Sequence, residues 1–250
     1  RQENLKRGTA LLEGLTAAKL TAAAGGEPQW LLCRRGGQEM GYMRVSARQA
    51  RDGGAVGVEV STAARLNLPG GQSMSIRRVM FTTADRSRER WSEAVELSQG
   101  GKAVRQMSEA GSCEGGLITC TVTTDGRSVT HRKPLEPATA KSYLPRGLAM
   151  LLPKLVDLSK AGSYGFAAYT TSANDFDLRT FTVIGPATAT IASQTVPAVQ
   201  VTDQLAADAP PASMELGKDG SLLRMTSDAG IVFEQSTRQA VLRRYPDAEK

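Results

Sequence analysis

The sequence predicts a mainly β protein of the α+β class: a long, curved antiparallel meander sheet or half-barrel wrapping one or two amphipathic helices. Three observations carry this. Gly-Gly and Asp-Gly pairs recur at strand-length intervals, at Gly36-Gly37, Asp52-Gly53-Gly54, Gly70-Gly71, Gly100-Gly101, Gly115-Gly116 and Asp125-Gly126, and such pairs supply the positive φ of tight hairpin turns. Between them apolar and polar residues alternate, as Val56, Val58 and Val60 do against Gly57, Glu59 and Ser61, which is the period of a half-buried strand. So many strands cannot stay in one flat open sheet, so the sheet must curve.

The chain opens with RQENLKRGTALLEGLTAAKLTAAA, good helix formers with Leu5, Leu11, Leu12, Leu15 and Leu20 at roughly helical spacing. It predicts one amphipathic helix within residues 1–28, interruptible at Gly8 and ended by Gly25-Gly26 and Pro28. The segments WLLCRR, MGYMRVSAR, AVGVEVSTAARLNL, QSMSIRRVMFTT, RERWSEAVEL, KAVRQMSEA, LITCTVTT and SVTHRKPL follow as strands, and their short connections favour pairing of each with the next. A break comes at YLPRGLAMLLPKLVDLSKAG, where Leu144, Leu148, Leu151, Leu152, Leu155 and Leu158 form a helical stripe that Pro153 kinks or ends. This helix either plugs the sheet or serves as a mobile apolar lid.

After Gly162 the alternation resumes with Tyr164 and Phe166, then Phe181 and Val183, then Ile231 and Phe233. The stretch MELGKDGSLLRMTSDAGIVFEQS predicts three strands joined by turns at Asp219-Gly220 and Asp228-Ala229-Gly230. The tail RQAVLRRYPDAEK reads as a solvated terminal strand or a partner-docking segment. An N-terminal helix, 1–28, thus precedes one large β-rich domain, 29–250, divisible into halves 29–142 and 143–250.

With 40% hydrophobic but only 5% aromatic residues, the core must rely on aliphatic residues and Met. The net charge of +6 comes from 31 basic and 25 acidic residues scattered in ones and twos, not the basic face with interleaved aromatics that a nucleic-acid binder shows. No apolar run reaches the length of about 18 residues that spans a bilayer. The chain begins at Arg1, and an upstream signal or anchor segment is expected.

Chemical motifs are sparse. GxxxxGK[ST] and HExxH are absent and the one histidine, His131, flanked by Arg132 and Lys133 at the end of a strand, reads as an exposed loop residue. Cys33, Cys113 and Cys120 fit no zinc spacing, so neither cofactor nor metal is expected. Cys113 and Cys120 flank EGGLIT and are either a cross-hairpin disulfide or two buried thiols. Asp175 and Asp177 are the acidic pair a hydrolase would use, and Asp203, Asp208 and Asp219 the carboxylates for calcium, without an EF-hand loop around them. The large rings Trp30, Tyr42, Trp91, Tyr143 and Tyr164 are core or cavity wall. Met40, Met43, Met74, Met80 and Met225 are an adaptable lining or gap-fillers.

The order YLPRGLAMLLPKLVDL, YGFAAYT, RTFTVIGP, PAVQVTDQL and SMELGKDGSLLRMTSDAGIVFEQS, over residues 143–237, resembles periplasmic lipoprotein-carrier (LolA/LolB-like) half-barrels. The Asp219-Gly220 turn before Ser221-Leu222-Leu223-Arg224 is part of that likeness. The resemblance implies a periplasmic or secreted, non-enzymatic module that handles an apolar ligand or a lipoprotein segment. The expected site is the concave face, with Trp30, Tyr42, Trp91, Leu148, Leu151, Leu152, Leu155, Tyr164 and Phe166 as contacts. The competing expectation is an envelope structural or assembly module without a small ligand. A hydrolase ranks below both.

Overall fold

The structure, a computed structural model, describes residues 1–227 and 229–249. Among these, fourteen strands form one antiparallel sheet: β1 (Gln29–Arg35), β2 (Gln38–Asp52), β3 (Ala55–Leu68), β4 (Gln72–Thr83), β5 (Arg88–Gln99), β6 (Lys102–Glu114), β7 (Leu117–Thr124) and β8 (Arg127–Pro134), then β9 (Gly162–Thr170), β10 (Asp175–Ile191), β11 (Gln194–Gln204), β12 (Ala212–Leu216), β13 (Leu222–Thr226) and β14 (Ile231–Ser236). Each half is a meander, as the turn signals predict. The halves join where the first strand pairs with the last, Leu32 opposite Glu234 and Cys33 opposite Phe233, giving the order β8 to β1, then β14 to β9.

The sheet curls without closing. Its terminal strands β8 and β9 do not pair with each other, but their surroundings meet: Lys133 of β8 reaches Asp175 of β10 at 3.0 Å. Tyr143 forms a parallel bridge to Ala167 of β9, and the Leu144 amide donates to the Ala167 carbonyl at 2.9 Å.

Four helices sit against the concave face: α1 (Gln2–Glu13), α2 (Ala17–Ala24), α3 (Pro137–Ser142) and α4 (Arg146–Leu155). The N-terminal segment breaks after Glu13 and not at Gly8, because the Thr16 hydroxyl accepts from the Lys19 amide and starts a new helix. Gly8 instead marks a close approach, since a Cβ there would lie 2.0 Å from the Gly165 carbonyl oxygen. Pro153 falls in the last turn of α4, which ends two residues later at Leu155. Leu148 and Leu152 of α4 are fully buried with Phe166, Phe181, Val60 and Leu216. The helix therefore plugs the sheet.

The C-terminal tail corrects the expectation of a strand. It forms helix α5 (Arg238–Arg244), capped by the Thr237 hydroxyl accepting from the Ala240 amide at 3.1 Å. Val241 and Leu242 carry its apolar face onto the outer side of the sheet, against Trp30, Leu32 and Tyr42. The Cys113–Cys120 pairing does not form: the register sets Cys113 opposite Ile118 and Cys120 opposite Gly111, and both cysteines remain buried free thiols. His131 is not a loop residue; it lies within β8, opposite Cys120.

In the loop before β13, Gly220 has φ +77°, and a Cβ there would sit 2.3 Å from the Pro153 carbonyl oxygen of α4. Asp219 accepts from the Ser221 amide at 3.0 Å and its hydroxyl at 2.6 Å, the local bonding expected of a turn aspartate. Asp228 lies outside the described residues.

Candidate functional site

Because α4 fills only part of the concavity, a trough remains between it and strands β4 to β10, with a volume of about 1310 Å³. A second hollow of about 450 Å³ lies on the other side of α4, towards β2, β12 and β13. Arg78, Ala149, Met150, Arg179 and Leu205 wall both. The larger trough exposes apolar side chains: Met107 is 40% exposed, Val129 57% and Leu205 59%. Alternation puts Met107, Val122 and Val129 on the concave side of three neighbouring strands, β6, β7 and β8.

Several polar groups of the trough are bound to one another. Glu109 Oε1 accepts from Trp91 Nε1 at 2.7 Å and from the Thr171 hydroxyl at 2.9 Å, and pairs with Arg146 Nη2 at 2.8 Å. The Arg146 guanidinium also stands 4.6 Å over the Trp91 ring. Gly111, opposite Trp91, makes room for the indole, since a Cβ there would lie 2.2 Å from its ring. Arg78 pairs with Glu93 at 2.9 Å, and Arg179 forks onto Asp203. Each of these three arginines therefore meets a carboxylate; Arg127, at the β8 end of the trough, has none within ion-pair distance among the described residues, and exposed apolar side chains make up much of the remaining lining.

Behind this network Glu89 is fully buried. Its carboxylate accepts from the Tyr143 hydroxyl and from the Arg146 amide at 2.6 Å, yet burial outweighs both and pushes its pKa up to about 7. Burial likewise pushes the Cys113 and Cys120 thiols up to about 11, so both stay protonated near neutral pH. Among the described residues no group of three or more His, Cys, Asp or Glu side chains is placed to hold a metal ion.

The structure distributes the expected contact residues unevenly. Trp91 is buried beneath Arg146, behind the trough wall, and Leu151 walls the second hollow. Leu148, Leu152 and Phe166 are sealed in the core, while Leu155 and Tyr164 are half-buried at its margin. Trp30 and Tyr42 lie on the opposite face under α5, away from the trough. Met80 lines the trough, Met43 and Met225 the second hollow. The acidic pair is engaged structurally: Asp175 with Lys133, and Asp177 with the Thr170 hydroxyl at 2.6 Å. Asp203 is held by Arg179, Asp219 by Ser221, and Asp208 is exposed. Sequence reading missed Met107, Val129, Leu205, Met150 and the Glu109–Arg146 pair.

No protein-family model matches the chain, and no curated protein matches it. In three dimensions it is similar to a beta-barrel-like protein of a domain of unknown function, DUF1849, from Brucella abortus. The TM-score is 0.51 at 13% sequence identity, over 84% of this chain and 94% of that one. The likeness shows a shared curved-sheet fold, compatible with the half-barrel expected from residues 143–237.

Proposed function

We propose that this protein is an exported, non-catalytic binding module that holds an apolar ligand, or an apolar segment of a lipoprotein, in the trough beside α4. The observation that carries this reading is the run of solvent-exposed Met107, Val129 and Leu205 in a trough where Arg78, Arg146 and Arg179 already meet carboxylates of the same protein. Covering such surface yields about 25 cal/mol per Å². The lining offers little directional bonding, which suits a ligand recognised by shape and apolarity.

The assembly reading would place partners on the free edge of β8. That edge carries Arg127, Arg132, Lys133 and Pro134, which blunt strand addition. Native mass spectrometry of protein purified from an envelope extract tests the proposal, alongside titration with an environment-sensitive apolar dye. Co-purified lipid or saturable dye uptake, lowered by Met107→Gln with Val129→Thr, is expected. Bare protein together with absent dye uptake would sink it.

A further inference from the structure

The outer face of β2, β3 and β4 carries a cluster unrelated to the trough. Ala63 of β3 stands opposite Arg44 of β2 on one side and opposite Arg77 of β4 on the other. Arg65 follows two residues later on the same face, opposite Tyr42 and Ser75. With strands about 4.8 Å apart, three guanidinium groups rise around one methyl group. They line a hollow of about 580 Å³ that runs under the C-terminal residues Asp247 and Ala248.

These arginines differ from others nearby. On the same face Arg48 pairs with Glu59 at 2.7 Å, and elsewhere Arg34 meets Glu234. Among the described residues no carboxylate lies within ion-pair distance of Arg44, Arg65 or Arg77. Arg44 lies 5.5 Å over the Trp30 ring centre, and the nearby Glu249, which feels its charge, is itself held by Arg238. Of the acids lining the hollow, Glu96 is held by the Ser98 hydroxyl at 3.0 Å and Gln106 Nε2 at 3.1 Å, and Asp247 has a contact of its own. Ser61, Ser73 and Ser75 add hydroxyl donors to the same hollow.

We propose that Arg44, Arg65 and Arg77, around Ala63, form a second binding site, for a phosphate-type anion. Neighbouring like charges on a sheet repel, and a dianion placed among them turns that repulsion into attraction. A phosphate group presents enough oxygens to meet several guanidinium forks and hydroxyls together, whereas a carboxylate satisfies one fork. The cations occupy one spot, not a track, and no exposed aromatic ring accompanies them, which disfavours a nucleic-acid strand. The phosphate can belong to a soluble monoester or to a lipid headgroup.

Calorimetric titration with glycerol phosphate, and co-sedimentation with phosphatidic-acid or phosphatidylcholine vesicles, separate these sources at about 0.15 M ionic strength. Saturable binding of glycerol phosphate, weakened at least about tenfold in the Arg65→Ala, Arg77→Ala double variant and retained in Arg48→Ala, supports the site with a soluble ligand. The same loss seen only with phosphatidic-acid vesicles supports it with a headgroup ligand. Absence of binding in both arms overturns the proposal, as does equal binding by the double variant or equal loss in Arg48→Ala. All three positions are surface ones, so an unchanged thermal midpoint without ligand confirms that each variant is folded. The outcome is independent of whether the trough binds apolar molecules.

Discussion

The Tyr143 hydroxyl donates to Glu89 Oε2 at 2.5 Å, while the other oxygen of Glu89 accepts from the amide of Arg146. Arg146 is the first residue of α4, and the residue before it, Pro145, has no side chain able to cap the helix. A strand residue distant in sequence therefore supplies the acceptor that a helix start needs. Glu89 fixes where α4 begins, and α4 in turn shapes the trough.

Stability should fall as pH rises from about 4.5 to 7. The Glu89 carboxyl has a pKa near 4.5 when unfolded and about 7 when folded, so between these values the folded state holds a proton that the unfolded state lacks. Stability from this group is full below pH 4.5 and lost above about 7, on the order of 3 kcal/mol. Denaturant melts at pH 5 and pH 8 should show this decline in the wild type and a flatter profile in Glu89→Gln. Identical pH profiles would refute the assignment.

Gly111→Ala should destabilise by about 1–3 kcal/mol, because the new methyl group must displace the Trp91 indole. Trp91 would then lose its hydrogen bond to Glu109. A shifted tryptophan emission accompanying the lower melting midpoint is the expected signature.

Core and trough substitutions should separate cleanly. Leu152→Ala, at a fully buried position of α4, is expected to cost about 2–5 kcal/mol. Val129→Thr, at an exposed position of the trough, should leave the unfolding free energy within about 0.5 kcal/mol of wild type while reducing apolar dye uptake.

Val241→Asp should detach α5, since it puts an unpaired charge in a fully buried position against the outer face of the sheet. Amide exchange should rise across residues 238–244 and Trp30 should become accessible to quenchers, with the trough unaffected. Retained protection of α5 would contradict the packing described.

The strands were legible because a sheet with one buried face leaves a period of two in the sequence, and Gly pairs mark the hairpins. That alternation says which residues share a face but not which face is concave. Trp30 and Tyr42 therefore looked like trough candidates, although α5 covers them from outside. The tail itself was ambiguous because α5 is only seven residues long, too short for its apolar Val241 and Leu242 to set a helical period. Glu109 was hidden in the opposite way: a carboxylate in an alternating strand looks solvated until Arg146, Trp91 and Thr171 arrive from other elements. Val129 and Leu205 could not be told from core residues, since exposure of an apolar side chain depends on how far α4 fills the concavity.

The pairing of β1 with β14 has a consequence for synthesis. Every other strand pairing in the described sheet joins consecutive strands, so each hairpin can close as soon as it emerges. The first strand must wait for the last one made, its edge open and its apolar Leu31 and Leu32 in place, while nearly the whole chain is completed. Loop-closure entropy makes that long-range pairing the expected slow step of folding, and the β1 edge the expected site of misassociation before it.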